Sequence, residues 1–91
     1  MGLRSFTHPN FWKCYEKLPK HIKHLADKKF DLFKKDHSHP SLEFSKKGSV
    51  WTVNIGYHYR AIGFREDQDI VWFWIGSHED YNNLMNRLGE I

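Results

Sequence analysis

The chain has 91 residues, carries a formal net charge of +3, is 16% aromatic and contains one cysteine, Cys14. This length allows a single domain, residues 1–91, with one modest hydrophobic core. No stretch reaches the roughly 18 apolar residues that a membrane span needs, and the N-terminus has no apolar run of signal-peptide length. One cysteine excludes an internal disulfide and is typical of a reducing compartment. We therefore expect a cytoplasmic domain without a membrane partner.

Basic residues are concentrated in the first half of the chain. Residues 1–48 contain eleven Lys and Arg against five Asp and Glu, a balance of +6, whereas residues 49–91 contain three against six, a balance of −3. A basic surface of this kind suits a polyanion or an acidic protein partner. The alternative is that most of these lysines only solvate exposed helix faces.

Two amphipathic helices joined at a proline are predicted near the N-terminus. Pro9 suits the first turn of a helix, and the apolar residues that follow have the spacing i, i+3, i+4 and i+7. Pro19 ends this helix and opens the second. The two apolar stripes comprise Phe11, Cys14, Tyr15 and Leu18, and then Ile22, Leu25, Ala26, Phe30 and Phe33. The pattern predicts an antiparallel helix pair, followed by a loop over residues 36–40.

After this loop the apolar period changes from 3.6 to 2, which indicates strands. A short edge strand is predicted for residues 42–45, and longer strands for 50–55, 58–64 and 70–75, the last apolar on both faces and therefore interior. Ser77 caps a final helix, with Asp80 at its third position. The predicted fold is α+β: two N-terminal antiparallel helices, a mainly antiparallel sheet of three or four strands, and a C-terminal helix.

Three side chains near the end of the predicted sheet are candidates for chemistry. Arg60 lies within a strand, and its guanidinium fits a phosphate at two points; the alternative is an ion pair. His78 lies in the first turn of the last helix, where the dipole favours a neutral imidazole that can accept a proton; the alternative is a surface residue beside the cap. Tyr81 begins an apolar stripe, so its ring can pack while its hydroxyl reaches a cleft. The carboxylates considered for an ion pair with the arginine are those of Glu66, Asp69 and Glu79.

The common motifs of cofactor and metal sites are absent from the sequence. It contains no Gly-rich phosphate loop, CxxC pair, GxSxG elbow or HExxH helix. The histidine pairs His21 with His24 and His37 with His39 have no acidic or thiolate partner at a recognised spacing. We therefore expect no cofactor and no metal. RNA cleavage needs neither, because the 2′-hydroxyl of the substrate is the nucleophile.

Three segments, taken in order, resemble the RelE/ParE superfamily of bacterial type II toxins. Residues 11–44, FWKCYEKLPKHIKHLADKKFDLFKKDHSHPSLEF, resemble the paired helices and the entry into the sheet. Residues 50–64, VWTVNIGYHYRAIGF, are similar to the hairpin with its Tyr-Arg strand. Residues 71–85, VWFWIGSHEDYNNLM, look like the last strand and C-terminal helix of a RelE-like subgroup. The resemblance covers nearly the whole chain.

The resemblance implies the RelE/ParE toxin fold and an activity as a metal-independent mRNA endoribonuclease that inhibits translation. Its implied partners are a cognate antitoxin and mRNA, free or on the ribosome. By position, Arg60 matches the phosphate-binding arginine of the family, His78 matches the acid or base, and Tyr81 matches an assisting aromatic. The lysines Lys46 and Lys47 are implied to bind RNA, and we assign His58, beside the arginine strand, to the same role.

Two alternatives follow from departures from the family pattern. Asn54 stands where many relatives have an arginine, and the acidic Glu79 and Asp80 directly follow His78. A ParE-like toxin that inhibits DNA gyrase without hydrolytic residues is one alternative. A catalytically degenerate member that only binds its antitoxin is the other.

Overall fold

A computed structural model of the protein describes residues 3–89. Its helices are α1, Pro9–Tyr15, α2, Lys20–Lys35, and α3, His78–Leu88, and a short 3-10 turn covers Pro40–Leu42. Its strands are β1, Arg4–Thr7, β2, Ser45–Lys47, β3, Val50–Ile55, β4, Tyr59–Glu66, and β5, Asp69–Ser77. No helix within residues 3–89 is long and apolar enough to cross a bilayer.

The strands form one sheet in the order β1-β5-β4-β3-β2, in which only β1 is parallel to its neighbour. The predicted α+β fold, with paired N-terminal helices, a mainly antiparallel sheet and a C-terminal helix, is confirmed. The sheet has five strands rather than three or four, because β1 joins its edge. The four residues of β1 show no clear alternation of apolar and polar side chains, and Phe6 is 47% exposed. Such a strand is recognisable only through its pairing with β5.

The entry into the sheet differs in detail from the predicted edge strand at 42–45. Residues 40–42 form the 3-10 turn instead, and the edge strand β2 begins at Ser45. His39 caps the turn, its Nδ1 accepting a hydrogen bond from the Ser41 backbone N at 3.2 Å. Glu43 then adopts a left-handed φ of 46°, which interrupts any extended run. Leu42 is fully buried at the end of the turn, so its apolar character reflects core packing rather than strand alternation.

The helices α1 and α2 cover one face of the sheet, called here the α2 face. The predicted apolar stripes pack there in the main core cluster, with Phe11, Ala26 and Phe33 each 2% exposed or less. Trp72 of β5 is the centre of this cluster, and the rings of Phe30 and Phe33 meet it edge-on at centroid distances of 5.3 and 5.4 Å. Burial of these large side chains is the main source of stability in a chain of this size.

The helix α3 packs on the opposite face, called here the α3 face. Its Tyr81 and Met85 bury against Val50 and Ile62 in a second, smaller cluster. An irregularity between Ile62 and the following glycine shifts the register of β4 against β5. The strand β5 is apolar on both faces because helices cover both of them, as predicted for an interior strand, and at the shift its alternation changes sides.

Candidate functional site

The candidate site lies where β4, β5 and α3 meet. The strand β5 ends at Ser77, whose Oγ accepts a hydrogen bond from the Asp80 backbone N at 3.1 Å, so the predicted cap is present. The next residue, His78, donates its backbone N–H to the carbonyl of His58 at 2.7 Å. This bond ties the start of α3 to the start of β4. This bond fixes the direction in which α3 leaves the sheet and holds its first turn beside β4.

Arg60 and Tyr81 are in direct contact. The guanidinium carbon of Arg60 lies 4.9 Å from the centre of the Tyr81 ring, a cation–π geometry. In the sheet Arg60 lies between Asn54 of β3 and Gly76 of β5. None of the ion pairs considered for Arg60 is present within residues 3–89; Asp69 pairs instead with Arg4 at 2.7 Å. The ring thus positions the guanidinium without neutralising it, and its hydrogen-bond donors remain available to an anion.

The side chain of His78 is exposed and lies near the same tyrosine. The centres of the His78 and Tyr81 rings are 6.0 Å apart with an interplanar angle of 35°. The amide of Asn82, one turn along α3, is 3.4 Å from Nδ1 of His78. Tyr81 therefore contacts both candidate groups, and the structure brings together the three residues that were predicted to carry catalysis.

Tyr81 combines a packed ring with an accessible hydroxyl. The residue is 5% exposed, yet its hydroxyl makes no hydrogen bond to another residue between 3 and 89. Within that same part of the chain, no buried side-chain nitrogen or oxygen lacks a partner. The hydroxyl therefore reaches the surface, as expected for a residue that packs and also faces a cleft.

The residues assigned to RNA binding occupy different places. His58 is exposed beside the site, and its carbonyl holds the start of α3. Lys46 and Lys47 lie on β2, which is two strands away from β4. From Arg60 to these lysines the distance is about 10 Å across the strands and about 10 Å along them, a shift of three to four residues. Successive side chains of a strand point to opposite faces. Lys47 pairs with Val50 of the α3 face, the face that carries Arg60, whereas Lys46 pairs with Trp51, which packs on the α2 face.

Two acidic residues stand next to the candidate site. Glu79 and Asp80 occupy the first turn of α3, where carboxylates are favoured by the positive end of the helix dipole. Both are exposed, and neither forms an ion pair with a residue in the described range 3–89. They lower the positive potential beside His78.

A neighbouring cleft was not expected from the sequence. It has a volume of about 670 Å³ and lies between the end of α1 and α3, with Trp74, Asn83 and Arg87 among its lining residues. Lys17, from the turn after α1, stands on its opposite wall. No spacing in the sequence links residues that are so far apart in the chain, so only the folded structure reveals this cleft.

The fold is shared with solved structures of small toxins. The RelB–RelE antitoxin–toxin complex from Methanococcus jannaschii matches with a TM-score of 0.70 at 13% identity, over 87% of this chain and 96% of that one. The archaeal RelE–RelB complex from Pyrococcus horikoshii matches with a TM-score of 0.63 at 20% identity, over 85% and 96%. The isolated RelE toxin of E. coli matches with a TM-score of 0.60 at 13% identity, over 96% and 99%. These likenesses establish a shared fold.

The family itself is established by sequence. The model of the ParE-like toxin domain matches residues 20–83, which is more than half of the chain. The chain therefore belongs to the ParE-like toxin domain family, and the resemblance to the RelE/ParE superfamily is confirmed. No curated protein matches the chain in sequence.

Proposed function

We propose that this protein is the toxin of a type II toxin–antitoxin system and that it cleaves mRNA without a metal. One observation carries the proposal: an unpaired guanidinium, Arg60, and an exposed imidazole, His78, both lie against the ring of Tyr81. These groups have the chemistry that phosphodiester cleavage requires, namely a fixed positive charge and a group that exchanges a proton.

In this mechanism the 2′-oxygen of the RNA attacks the adjacent phosphorus. His78 accepts the proton of the 2′-hydroxyl, a 2′,3′-cyclic phosphate forms, and the bond from phosphorus to the 5′-oxygen breaks. The 5′-oxygen leaves with a proton from water or from the hydroxyl of Tyr81. Arg60 binds the phosphate at two points and stabilises the charge that develops on its oxygens. The tyrosine ring holds the guanidinium in place, so little reorganisation is needed as the reaction proceeds.

RNA reaches the site along the α3 face. Lys47 lies on that face at the far side of the sheet, and His58 is exposed beside the catalytic groups. A phosphate backbone that contacts both would cross the position of Arg60. Lys46 faces the opposite side of the sheet, so we expect its contribution to RNA binding to be small.

The partner implied by the fold is an antitoxin protein. Two of the similar solved structures are complexes of a RelE toxin with a RelB antitoxin. The basic surface of this chain, with a balance of +6 over residues 1–48, suits an acidic segment of such a partner. The mRNA substrate is bound either free or on the ribosome.

A second candidate function is supported by the acidic residues beside the site. Glu79 and Asp80 repel a phosphate near His78, and Asn54 supplies no positive charge in the row of Arg60. These features suit a ParE-like toxin that inhibits DNA gyrase, or a degenerate member that only binds its antitoxin. In the ParE-like case the site residues have a structural role alone.

Expression in a bacterial host, with variants made at the site, separates these functions. The nuclease predicts translation arrest with cut transcripts, and we expect Arg60→Ala and His78→Ala each to lower cleavage of purified RNA about 100- to 1,000-fold. Arg65→Ala is the matched control, because Arg65 lies on the same strand but over the ring of Trp51 on the α2 face, with its guanidinium carbon 4.7 Å from the ring centre. A DNA-damage response with intact transcripts would contradict the nuclease function and support inhibition of gyrase. Unchanged cleavage in both site variants would show that the site assignment is wrong.

A further inference from the structure

The cleft beside the candidate site exists because β1 is shorter than β5. The pairing of the two strands ends at Thr7 with Trp72, so β5 continues from residue 73 to 77 without a strand on that side. The end of α1 and its following turn form one wall of the resulting space, and α3 forms the other. The volume, about 670 Å³, is in the range of pockets that bind small molecules and cofactors.

The edge of β5 beside this cleft has no neighbouring strand beyond residue 72, and its backbone is covered by side chains, with Ile75 only 2% exposed. In an antiparallel pair, alternate residues direct both their N–H and their C=O toward the partner strand. The bond from the His78 N–H to His58 places residues 78 and 76 in the set that points toward β4. Ile75 is therefore in the other set, and its N–H and C=O point away from β4, as does the carbonyl of Phe73, which accepts the side-chain amide of Asn10 at 2.9 Å. No residue in the described range bonds to either backbone group of Ile75 on this side.

An indole and two positively charged side chains line the cleft around this edge. Trp74 lies half-buried in the wall of the cleft, and its indole is folded over Gly76, where a Cβ would meet Trp74 Cζ2 at 2.6 Å. Lys17 and Arg87 bring two positive charges from opposite walls, and neither forms an ion pair with a residue in the range 3–89. With one negative charge from Asp80, the charged lining sums to +1, from two positive and one negative.

We propose that this cleft is a subsite for one unpaired nucleotide of the RNA, next to the phosphate held by Arg60. The indole of Trp74 offers a surface for stacking, and Lys17 and Arg87 bind the flanking phosphates. Gly76 is the cross-strand partner of Arg60, at a Cα separation of about 5.5 Å for a hydrogen-bonded pair, so the subsite directly adjoins the proposed position of the scissile phosphate.

This inference rests on the proposed RNA substrate, but binding tests it separately from cleavage. The probes are a 2′-O-methylated RNA hexanucleotide, which lacks the proton and the nucleophile needed for cleavage, and cytidine and adenosine 5′-monophosphate. Binding to the full chain is followed by NMR through the backbone amide of Ile75 and the indole N–H of Trp74. We expect both signals to shift on addition of the hexanucleotide. We also expect Trp74→Ala to weaken its affinity about 5- to 150-fold, the range for loss of one base–aromatic stack.

Substitutions of Lys17 and Arg87 test the subsite with little risk of unfolding the protein, because both side chains are exposed. Lys17→Ala and Arg87→Ala should each lower the affinity about threefold to tenfold at moderate salt, and each should reduce the slope of log affinity against log salt by about 0.7 to 1. Lys28→Ala is the control, since Lys28 is an exposed lysine of α2 outside the cleft; its affinity should stay within twofold of the parent chain.

The outcomes separate this subsite from the proposed function. Shifts at Ile75 and Trp74 without any cleavage of unmodified RNA would support the subsite and overturn the nuclease. Cleavage without these shifts, or with equal effects of Lys17→Ala, Arg87→Ala and Lys28→Ala on affinity, would overturn the subsite and leave the nuclease standing. Shifts that appear with the mononucleotides but not with the hexanucleotide would also overturn it, because the cleft would then exclude a continuous strand.

Discussion

Gly76→Ala should destabilise the protein by forcing Trp74 out of its position. An added Cβ would lie 2.6 Å from Trp74 Cζ2 and 2.8 Å from Cη2, closer than real Cβ contacts occur. The contact atoms belong to a rigid indole ring that is half-buried in the sheet, so the ring must move as a whole. Overpacking of this kind costs about 1–3 kcal/mol. For a domain of this size, that corresponds to a drop in Tm of about 4–8 °C per kcal/mol.

A double-mutant cycle isolates this clash from other effects of the substitution. Gly76 has no left-handed φ, so alanine introduces no backbone strain there. In a Trp74→Leu background the obstructing ring is absent, and we expect Gly76→Ala to change the free energy of unfolding by less than about 0.5 kcal/mol. Thermal and denaturant unfolding followed by circular dichroism measure all four variants. An equal cost of Gly76→Ala in both backgrounds would refute the argument that the indole is the obstacle.

Three further predictions concern other parts of the molecule. Burial and the hydrogen bond to Asp27 at 2.8 Å raise the pKa of Tyr15 from 10.0 to about 12. The folded state therefore holds this proton more tightly than the unfolded state does. Its contribution to the free energy of unfolding is complete below pH 10 and is lost between pH 10 and about 12. Absorbance titration at 295 nm should show one late tyrosine that is missing in Tyr15→Phe and titrates earlier in Asp27→Asn, and an unchanged titration would contradict the cause given. On the α3 face, Lys47→Ala should weaken binding of the uncleavable hexanucleotide about threefold to tenfold, whereas Lys46→Ala should leave it within twofold; equal effects in a binding titration would disprove the division by sheet face. In the core, Phe33→Ala should cost about 3–5 kcal/mol in denaturant unfolding, since Phe33 is 2% exposed and packs edge-on against two rings of the main cluster, and a loss below 1 kcal/mol would show that the site collapses around the cavity.

The helices and most of the sheet were predictable because their patterns are local. The stripes that include Phe11 and Phe33 repeat at helical spacing, and proline and serine residues mark where the helices begin. The strands β3 and β4 alternate, or flank a glycine turn, in a way that a short window of sequence detects. The strand β1 and the position of β2 were not predictable in this way. Each is defined by a partner, β5 for one and β3 for the other, and its own residues carry little signal.

The candidate site shows the same division. Arg60, His78 and Tyr81 were identifiable because each stands out against its own element: a charge within a strand, or a polar ring at a helix start. Their mutual contact depends on the angle at which α3 leaves β5, which the bond between His78 and His58 sets. The alternative ion pairs of Arg60 could be set aside only once residues 3–89 were seen to contain none of them, with Asp69 bound to Arg4 instead.

By itself, the sequence determined the fold class, the family and the three residues worth testing, because periodicity, caps and family motifs are written in neighbouring residues. Only the tertiary structure decided which side chains share a face. It placed Lys47 and Lys46 on opposite sides of one sheet, and it opened a cleft where β1 ends before β5 does. The physical reason is that register, strand length and helix direction are set by contacts between distant segments. A difference of one residue in register moves a side chain from one face to the other.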